Sequence, residues 1–364
     1  MLQWDKGWDI PDAIGKDPCS MLQEAIDRQK LHVRVTALTN DSVGTLMAKA
    51  YTSSQAGSPL IGAIFGTGTN AAYAEDMTRI RKLLQPNTGM NSQDSVMVIN
   101  TEWGAWFDQA PSALPGCVYD SVLDQESSSP GKQLFEKRTS GLYLGELLRL
   151  AMLDLISSRQ LQIPAKPGSM LKRPYSIDAA LISMLATSFD DPKATKWQTV
   201  AEKISATLDV DEVNKNDVQA LLLLGAAIMK RAAQLAGATM AAIVIQSGRL
   251  APLVPMLKPI ATSKWKRWCK WLRFGGAVCL FGRRQVDDDA ATLDSDKTLD
   301  AAAGCIEIGI DGSLFEHYPR FEEEIRRALR ALPGIGPEGE ARVKIGLTKD
   351  GSSLGAALIA QSVP

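Results

Sequence analysis

Four short apolar runs in this sequence end abruptly in turns built from glycine, asparagine, aspartate or glutamate. They span residues 60–65, 95–100, 305–310 and 343–347. Segments with the apolar spacing of a helix occur between them, for example at residues 197–208. Apolar strands that stop at a turn and alternate with helices are typical of an α/β protein, in which helices cover a sheet. The sequence therefore predicts a sheet with polar residues at its strand ends.

The longest apolar stretch predicts a buried helix within residues 213–246. It is rich in alanine and leucine, and Lys230 with Arg231 divides it into pieces too short to cross a bilayer. We therefore expect a helix packed beside the sheet rather than a transmembrane segment. The same patterns predict a helix at residues 16–28, a strand at residues 31–38 and a helix from residue 129 onward.

The charge balance and the cysteine pattern exclude several kinds of function. The 364 residues include 40 Lys and Arg against 41 Asp and Glu, a formal charge of -1. Binding to phosphate backbones or anionic membranes needs a basic excess, so we expect no nucleic-acid partner. Five scattered cysteines and two histidines argue against a zinc cluster. Because the first residues lack the regions of a secretory signal, we expect a cytosolic protein, and mitochondrial or nuclear association stays open.

One basic segment differs from the rest of the chain in composition. Residues 249–285 carry nine basic residues and no acid, and Trp265, Trp268 and Trp271 recur every three residues. Such a pattern could lie on a membrane surface or bind nucleic acid. A loop insertion, or intron sequence translated by a faulty gene model, is the simpler explanation. We therefore treat residues 249–303 as an atypical insertion.

The residues that could carry chemistry stand at the predicted strand ends. The sequence contains no GxxxxGK[ST] phosphate loop, no HExxH and no GxSxG motif. Asn40 before a predicted helix is a common helix cap, and residues 66–68 and 311–313 are common turn sequences. Glu102 and Glu136 alone would be taken as surface charges. Only their joint occurrence in one order is informative.

Six motifs follow one another along the chain. They are WDKGW at residues 4–8, NDSVGTL at 40–46, IFGTGTNA at 64–71, NTEWG at 100–104, GKQLFEK at 131–137 and IDGS at 310–313. Together they resemble the eukaryotic, fungal-type hexokinase family over nearly the whole chain outside residues 249–303. The resemblance implies an α/β fold of the actin-like ATPase and ribonuclease H-like kind, with a mixed sheet flanked by helices. It also implies a small-domain remnant at residues 1–39 and the large domain at residues 40–364.

The resemblance further implies an ATP-dependent hexose 6-phosphotransferase that acts in the first step of glycolysis. Asp41 resembles the general base that takes the proton of the sugar 6-hydroxyl as it attacks the γ-phosphate of ATP. The residues that resemble hexose ligands are Lys6, Asn40, Asn70, Glu102, Gln133 and Glu136. The residues that match nucleotide-binding segments are Gly66, Thr67, Gly68, Gly312 and Ser313. No residue of this chain is implied as a metal ligand, because Mg²⁺ would be held mainly through the ATP phosphates.

The sequence also departs from the family pattern. That pattern begins with a strand, an LGGTN-like phosphate-binding turn and a sugar-binding segment of the small domain, and this sequence starts downstream of them. Asp5 stands where the family commonly has threonine. We therefore expect a truncated chain that is a poor catalyst, with no sheet for the strand at residues 31–38 to join. A catalytically inactive, sugar-responsive regulatory protein is the alternative, and both the preferred hexose and a homodimer are left open.

Overall fold

The computed structural model describes seven stretches of the chain, which contain a five-stranded sheet. They are residues 10–53, 57–80, 96–164, 166–190, 196–250, 305–318 and 320–362. The strands are β1 (Gly57–Phe65), β2 (Thr69–Asp76), β3 (Val96–Asn100), β4 (Cys305–Asp311) and β5 (Val343–Leu347). Their order across the sheet is β3-β2-β1-β4-β5. β1, β4 and β5 are parallel to one another, whereas β2 is antiparallel to both β1 and β3.

Helices cover both faces of this sheet. They are α1 (Pro18–Arg28), α2 (Asp41–Thr52), α3 (Val118–Glu126), α4 (Glu136–Thr139), α5 (Gly141–Ser157), α6 (Ala179–Asp190), α7 (Trp197–Leu208), α8 (Lys215–Ser247), α9 (Ser313–His317), α10 (Arg320–Ala331), α11 (Gly336–Ala341) and α12 (Gly351–Ser362). On one face α2 packs against β1, and α12 packs against α2. On the other face Phe65 of β1 contacts Phe321 of α10, with ring centroids 5.4 Å apart. The predicted mixed sheet between helical layers is confirmed.

Two glycines in the sheet allow α2 to approach it closely. A Cβ atom on Gly62 would lie 2.3 Å from the backbone nitrogen of Leu46, and one on Gly309 would lie 2.8 Å from Cβ of Lys49. Gly62 and Gly309 are register partners in β1 and β4, so both face the same helix. Any side chain at either position would displace α2, and with it the predicted base at its first residue.

The strand directions bring the predicted motifs to one edge of the sheet. β3 is parallel to β1, since each is antiparallel to β2, so β1, β3 and β4 all end at the same edge. β2 begins at that edge, where Asn70 pairs with Ile64 and Ala72 pairs with Asn100. The turn after β1 and the turn after β4 therefore lie beside the start of β2 and the end of β3.

The predicted strand at residues 31–38 is wrong. Those residues are described, but they form no strand and pair with none among the described parts of the chain. The side chain of Gln23 bonds to two of their backbone groups instead. The Val35 amide donates to Oε1 of Gln23 at 2.8 Å, and Nε2 of Gln23 donates to the Val33 carbonyl at 3.1 Å. Apolar spacing alone does not make a strand, because its backbone groups need a neighbour.

The helix predicted from residue 129 onward is wrong in its first part. The chain turns through residues 127–135 and becomes helical only in α4 and α5, which meet at Ser140. Gly131 and Gln133 have φ angles of +76° and +55°, which a right-handed helix does not accept. The spacing of leucines in this region correctly predicts α5. The sequence patterns predicted neither α3 nor β2, the strand that forms a hairpin with β1.

The long apolar helix is confirmed as α8. By length and composition alone it could cross a membrane. However, Met229, Ala233 and Met240 are fully buried, and the helix packs against α6 and α10. This is the environment of a core helix. Most of the predicted insertion, residues 251–303, lies outside the described residues.

Candidate active site

The N-terminus of α2 places the predicted base beside a predicted sugar ligand. Asn40 caps the helix, because its Oδ1 accepts hydrogen bonds from the backbone amide of Ser42 at 3.0 Å and from Oγ of Ser42 at 2.6 Å. Asp41 is the first helical residue and is exposed. Its Oδ1 accepts from the same amide at 2.8 Å. The capping geometry therefore fixes both side chains at one point of the sheet edge.

Asn70, at the start of β2, connects this point to two further polar side chains. Its Nδ2 lies 3.3 Å from Oδ1 of Asn40 and 2.8 Å from Oδ1 of Asn100. The same atom lies 3.2 Å from Oε1 of Glu102. Asn100 donates to that Glu102 oxygen at 2.7 Å. We call Asn40, Asn70, Asn100 and Glu102 the amide–carboxylate cluster.

A buried tryptophan anchors the turn that carries Glu102. Glu102 itself is exposed and has φ 46° and ψ 43°, a left-handed conformation that costs a residue with a side chain about 1 kcal/mol. The next residue, Trp103, is fully buried, and its Nε1 donates to Oγ1 of Thr69 at 2.9 Å. Its ring lies 5.7 Å from that of Phe135, centroid to centroid. The packing of Trp103 thus holds Glu102 in its strained turn.

Gln133 and Glu136 reach the same edge from the loop before α4. Oε2 of Glu136 accepts from the backbone amide of Thr69 at 3.0 Å, and the residue is buried. Gln133 lies against Gly104, since a Cβ atom there would be 2.3 Å from its Oε1 and 3.4 Å from Cβ of Glu136. Glycine at position 104 is what allows the two side chains to approach the Glu102 turn.

A buried ion-pair network connects α4 to α3 and α8. Asp120 of α3 receives two hydrogen bonds from the guanidinium of Arg231 of α8, at 2.7 and 2.8 Å. Burial raises the pKa of the Asp120 carboxyl, but the hydrogen bond and charge of Arg231 outweigh burial and bring it below its ordinary value. Arg138 of α4 approaches the same carboxylate at 3.8 Å. This network ties α4, and hence Glu136, to the helical layer.

The two predicted nucleotide segments are in backbone contact. Gly312 has φ +111°, and a Cβ atom on it would lie 2.3 Å from the carbonyl oxygen of Phe65 and 2.8 Å from the nitrogen of Gly66. The Gly66 carbonyl in turn accepts from the amide of Gly141 at 2.7 Å, at the start of α5. The turn after β1 therefore lies between the turn after β4 and α5, with exposed Thr67 and Ser313 at the surface.

Two family models described as hexokinase match this chain. One covers residues 60–362 and the other residues 1–51. The chain belongs to the hexokinase family. It is 38% identical over 370 residues to a glucokinase of Aspergillus niger and 34% identical over 376 residues to glucokinase-1 of Saccharomyces cerevisiae. Each of these alignments covers 99% of this chain and 64% of the relative, so the chain spans about two thirds of the length of these curated hexokinase-family proteins.

A solved structure shows the same fold. A hexokinase from Schistosoma mansoni complexed with glucose superposes with a TM-score of 0.71 at 26% sequence identity. The match covers 100% of this chain and 65% of that protein. The predicted membership of the hexokinase family and the predicted α/β fold are thereby confirmed.

The structure brings together most of the residues that the hexokinase resemblance singles out. Lys6 lies outside the described residues, so its place at the site stays a prediction. Asn100 was quoted in the NTEWG motif but not singled out, although it bonds both Asn70 and Glu102. Its position at the end of a strand, next to a candidate ligand, was the available signal. Thr69 was also quoted in a motif without being singled out, although its amide donates to Glu136 and its hydroxyl accepts from Trp103.

The carboxylates at this edge are not grouped as metal ligands. Within the described ranges, no group of three or more His, Cys, Asp or Glu side chains could hold an ion. Asp311, next to the Gly312 turn, accepts from the amides of Gly312 at 2.8 Å and Gly351 at 3.0 Å. Its oxygens therefore already serve to join β4 to the start of α12.

Proposed function

We propose that this hexokinase-family chain serves ATP-dependent phosphorylation of a hexose at its 6-hydroxyl. The observation that carries the proposal is the amide–carboxylate cluster beside Asp41. Its side chains hydrogen-bond to one another across the sheet edge at 2.7 to 3.3 Å. A polyol needs several donors and acceptors at fixed places, and such groups reject molecules that lack the matching hydroxyls. The names of the relatives, glucokinase and hexokinase, support the same conclusion.

In this proposal the sugar hydroxyls replace hydrogen bonds that the side chains now make with one another. Asn40, Asn70 and Glu102 offer two amide groups and one carboxylate, and Gln133 and Glu136 complete the set from the α4 side. Asp41 accepts the proton of the 6-hydroxyl as its oxygen attacks the γ-phosphate of ATP. General-base catalysis of this kind contributes about 10²- to 10⁴-fold to the rate.

The nucleotide belongs at the contact between the two glycine turns. Backbone amides of Gly66, Thr67 and Gly68 would meet phosphate oxygens, and Gly312 with Ser313 would lie on the adenosine side. The close contact of these turns supports this assignment, because the three atoms nearest to a Cβ on Gly312 would all be backbone atoms of Phe65 and Gly66. Mg²⁺ bound to the phosphates would neutralise their charge. A cytosolic location and a homodimer stay predictions.

The test is a coupled assay for hexose 6-phosphate with the 364-residue chain and its Asp41→Asn variant. We expect slow but measurable turnover with ATP and glucose, and a further loss of at least about 100-fold in kcat for Asp41→Asn. Calorimetric titration with glucose tests binding separately. A chain that binds no hexose and transfers no phosphate would overturn the proposal.

The same titration, combined with the assay, distinguishes the enzyme from the inactive, sugar-responsive alternative. Retention of Asp41 at the helix start, next in the chain to Asn40 of the cluster, favours the enzyme. Tight glucose binding without turnover, even in a chain extended to the full length of its relatives, would favour the regulator instead.

A further inference from the structure

The loop that carries Gln133 is held in a conformation that its own sequence does not favour. Gln133 has φ +55°, which lies in the left-handed region. Residues other than glycine adopt this region at a cost in conformational energy. The loop precedes α4, so it lacks the repeating hydrogen bonds of a helix up to Phe135. The Gln133 carbonyl accepts from the amide of Lys137 at 3.0 Å, but the Gln133 amide needs a separate partner if the side chain is to stay against Gly104.

Asp108 provides that group. Its Oδ2 accepts from the backbone amide of Gln133 at 2.9 Å, and its Oδ1 accepts from the amide of Leu134 at 3.0 Å. Two adjacent amides thus meet the two oxygens of one carboxylate, which is half-buried. Hydrogen bonds to an ionised acceptor are about twice as strong as neutral ones. An amide side chain could not replace it, because one of its two terminal groups is a donor.

The rest of the loop is attached on either side of this point. Asp124 accepts from the amide of Gly131 at 3.0 Å and from Nζ of Lys137 at 2.6 Å. The amide of Phe135 donates to the Gly104 carbonyl at 3.1 Å. Neither contact reaches the amides of residues 133 and 134, whose partner in the described contacts is Asp108.

We propose that Asp108 is a positioning residue for the hexose site, which holds Gln133 and the start of α4 against the Gly104 turn. The inference rests on the proposed hexose binding, because Gln133 and Glu136 are its ligands. In the described contacts Asp108 hydrogen-bonds only to backbone amides of the loop. It therefore acts by positioning Gln133 rather than by binding the sugar.

The test compares Asp108→Asn with Asp76→Asn as a matched control. Asp76 also accepts two hydrogen bonds, from the amide and hydroxyl of Thr78, but it lies at the far end of β2, about 20 Å along the strand from Asn70. For Asp108→Asn we expect glucose affinity to fall roughly 10- to 100-fold, with the KM for ATP unchanged. Asp76→Asn should leave both constants at the wild-type value.

A second measurement does not depend on sugar binding. Hydrogen exchange of the Gln133 and Leu134 amides should be slow in the wild type and in Asp76→Asn, and fast in Asp108→Asn. Asp108→Glu is the second variant, for the case that Asp108→Asn folds poorly. It keeps two acceptor oxygens, so it should bind glucose more tightly than Asp108→Asn does. Unchanged exchange, or unchanged glucose affinity in a wild type that binds glucose, overturns the positioning role. A wild type that binds no hexose contradicts the proposed function instead, while the exchange result still decides whether Asp108 holds the loop.

Discussion

Residues 10–39 and the sheet-centred body differ in what their apolar side chains contact. In α1, whose residues are all described, no side chain is buried, and Leu22 is 55% exposed. Leu38, at the end of residues 31–38, is 70% exposed. In the body, by contrast, Leu60 and Ile61 of β1 are fully buried between two helical layers. Both regions carry the apolar spacing of regular structure, so the difference teaches that burial requires a second layer and not the pattern alone.

The difference extends to the backbone. In the body, α2 and α12 cross so closely that a Cβ atom on Gly355 would lie 1.9 Å from the carbonyl oxygen of Gly44. In the described N-terminal segment, α1 is joined to residues 31–38 by two hydrogen bonds of the Gln23 side chain and one from the Leu31 amide to the Ile26 carbonyl. Substitutions in the body should therefore be costly, and those in residues 10–39 should be nearly neutral.

The largest expected effect is that of Trp103→Ala. Trp103 is fully buried between Phe65 and Phe135 and donates to Thr69, so its removal leaves a large cavity and removes a buried hydrogen bond. We expect a loss of about 3 to 5 kcal/mol in the free energy of unfolding. Urea titration measures it, with Phe189→Ala, a 40% exposed ring, as the control. Equal losses in the two variants would contradict the distinction.

Next in size is Arg231→Met. It leaves the buried Asp120 carboxylate with the Cys117 amide and the more distant Arg138. We expect a loss of about 2 kcal/mol at pH 7, less than for a wholly buried pair because Arg231 is partly exposed. Since the native pKa of Asp120 is lowered, its contribution to stability is present above about pH 4 and lost as the pH falls below that value. The variant should therefore lose less stability on acidification than the wild type.

The control for this prediction is Lys166→Met, which removes exposed pairs with Asp209 and Asp211. Exposed pairs contribute about 0 to 1 kcal/mol. A loss for Arg231→Met no larger than that of the control would show that the α3–α8 ion pair does not support the body.

A smaller effect is expected at alkaline pH from Tyr73→Phe. Burial, with the charge and hydrogen bond of Glu75, raises the pKa of Tyr73 to about 12. A raised pKa means that the protonated form stabilises the fold below about pH 10 and that this stability is lost between about pH 10 and pH 12. The variant should lose stability less steeply over that range. The exposed Tyr51, replaced in the same way, should leave the profile unchanged.

The smallest effect is that of Leu38→Ser in residues 31–38. Because Leu38 is already exposed, the free energy of unfolding should change by no more than about 0.5 kcal/mol. The variant should aggregate less, since it removes exposed apolar surface. The same substitution at Leu60 should cost several times more. A large loss at Leu38 would mean that residues 10–39 are packed as tightly as the body.

The sequence by itself determined the order of the motifs and most of the elements that carry them. β5 is found where the apolar run predicts it, at Val343–Leu347, and α2 begins at the predicted cap Asn40. Such features depend on residues close in the chain, whose spacing and capping chemistry can be read directly. The family resemblance rested on the same local motifs.

Only the tertiary structure decided which residues meet. Asn100 joins Asn70 to Glu102 because β2 and β3 pair in one register, and Gln133 reaches Gly104 because Asp108 holds its backbone. The strand predicted at residues 31–38 did not form, since no described strand pairs with it. Pairing, left-handed turns and close backbone contacts depend on residues far apart in the chain, and local spacing carries no record of them.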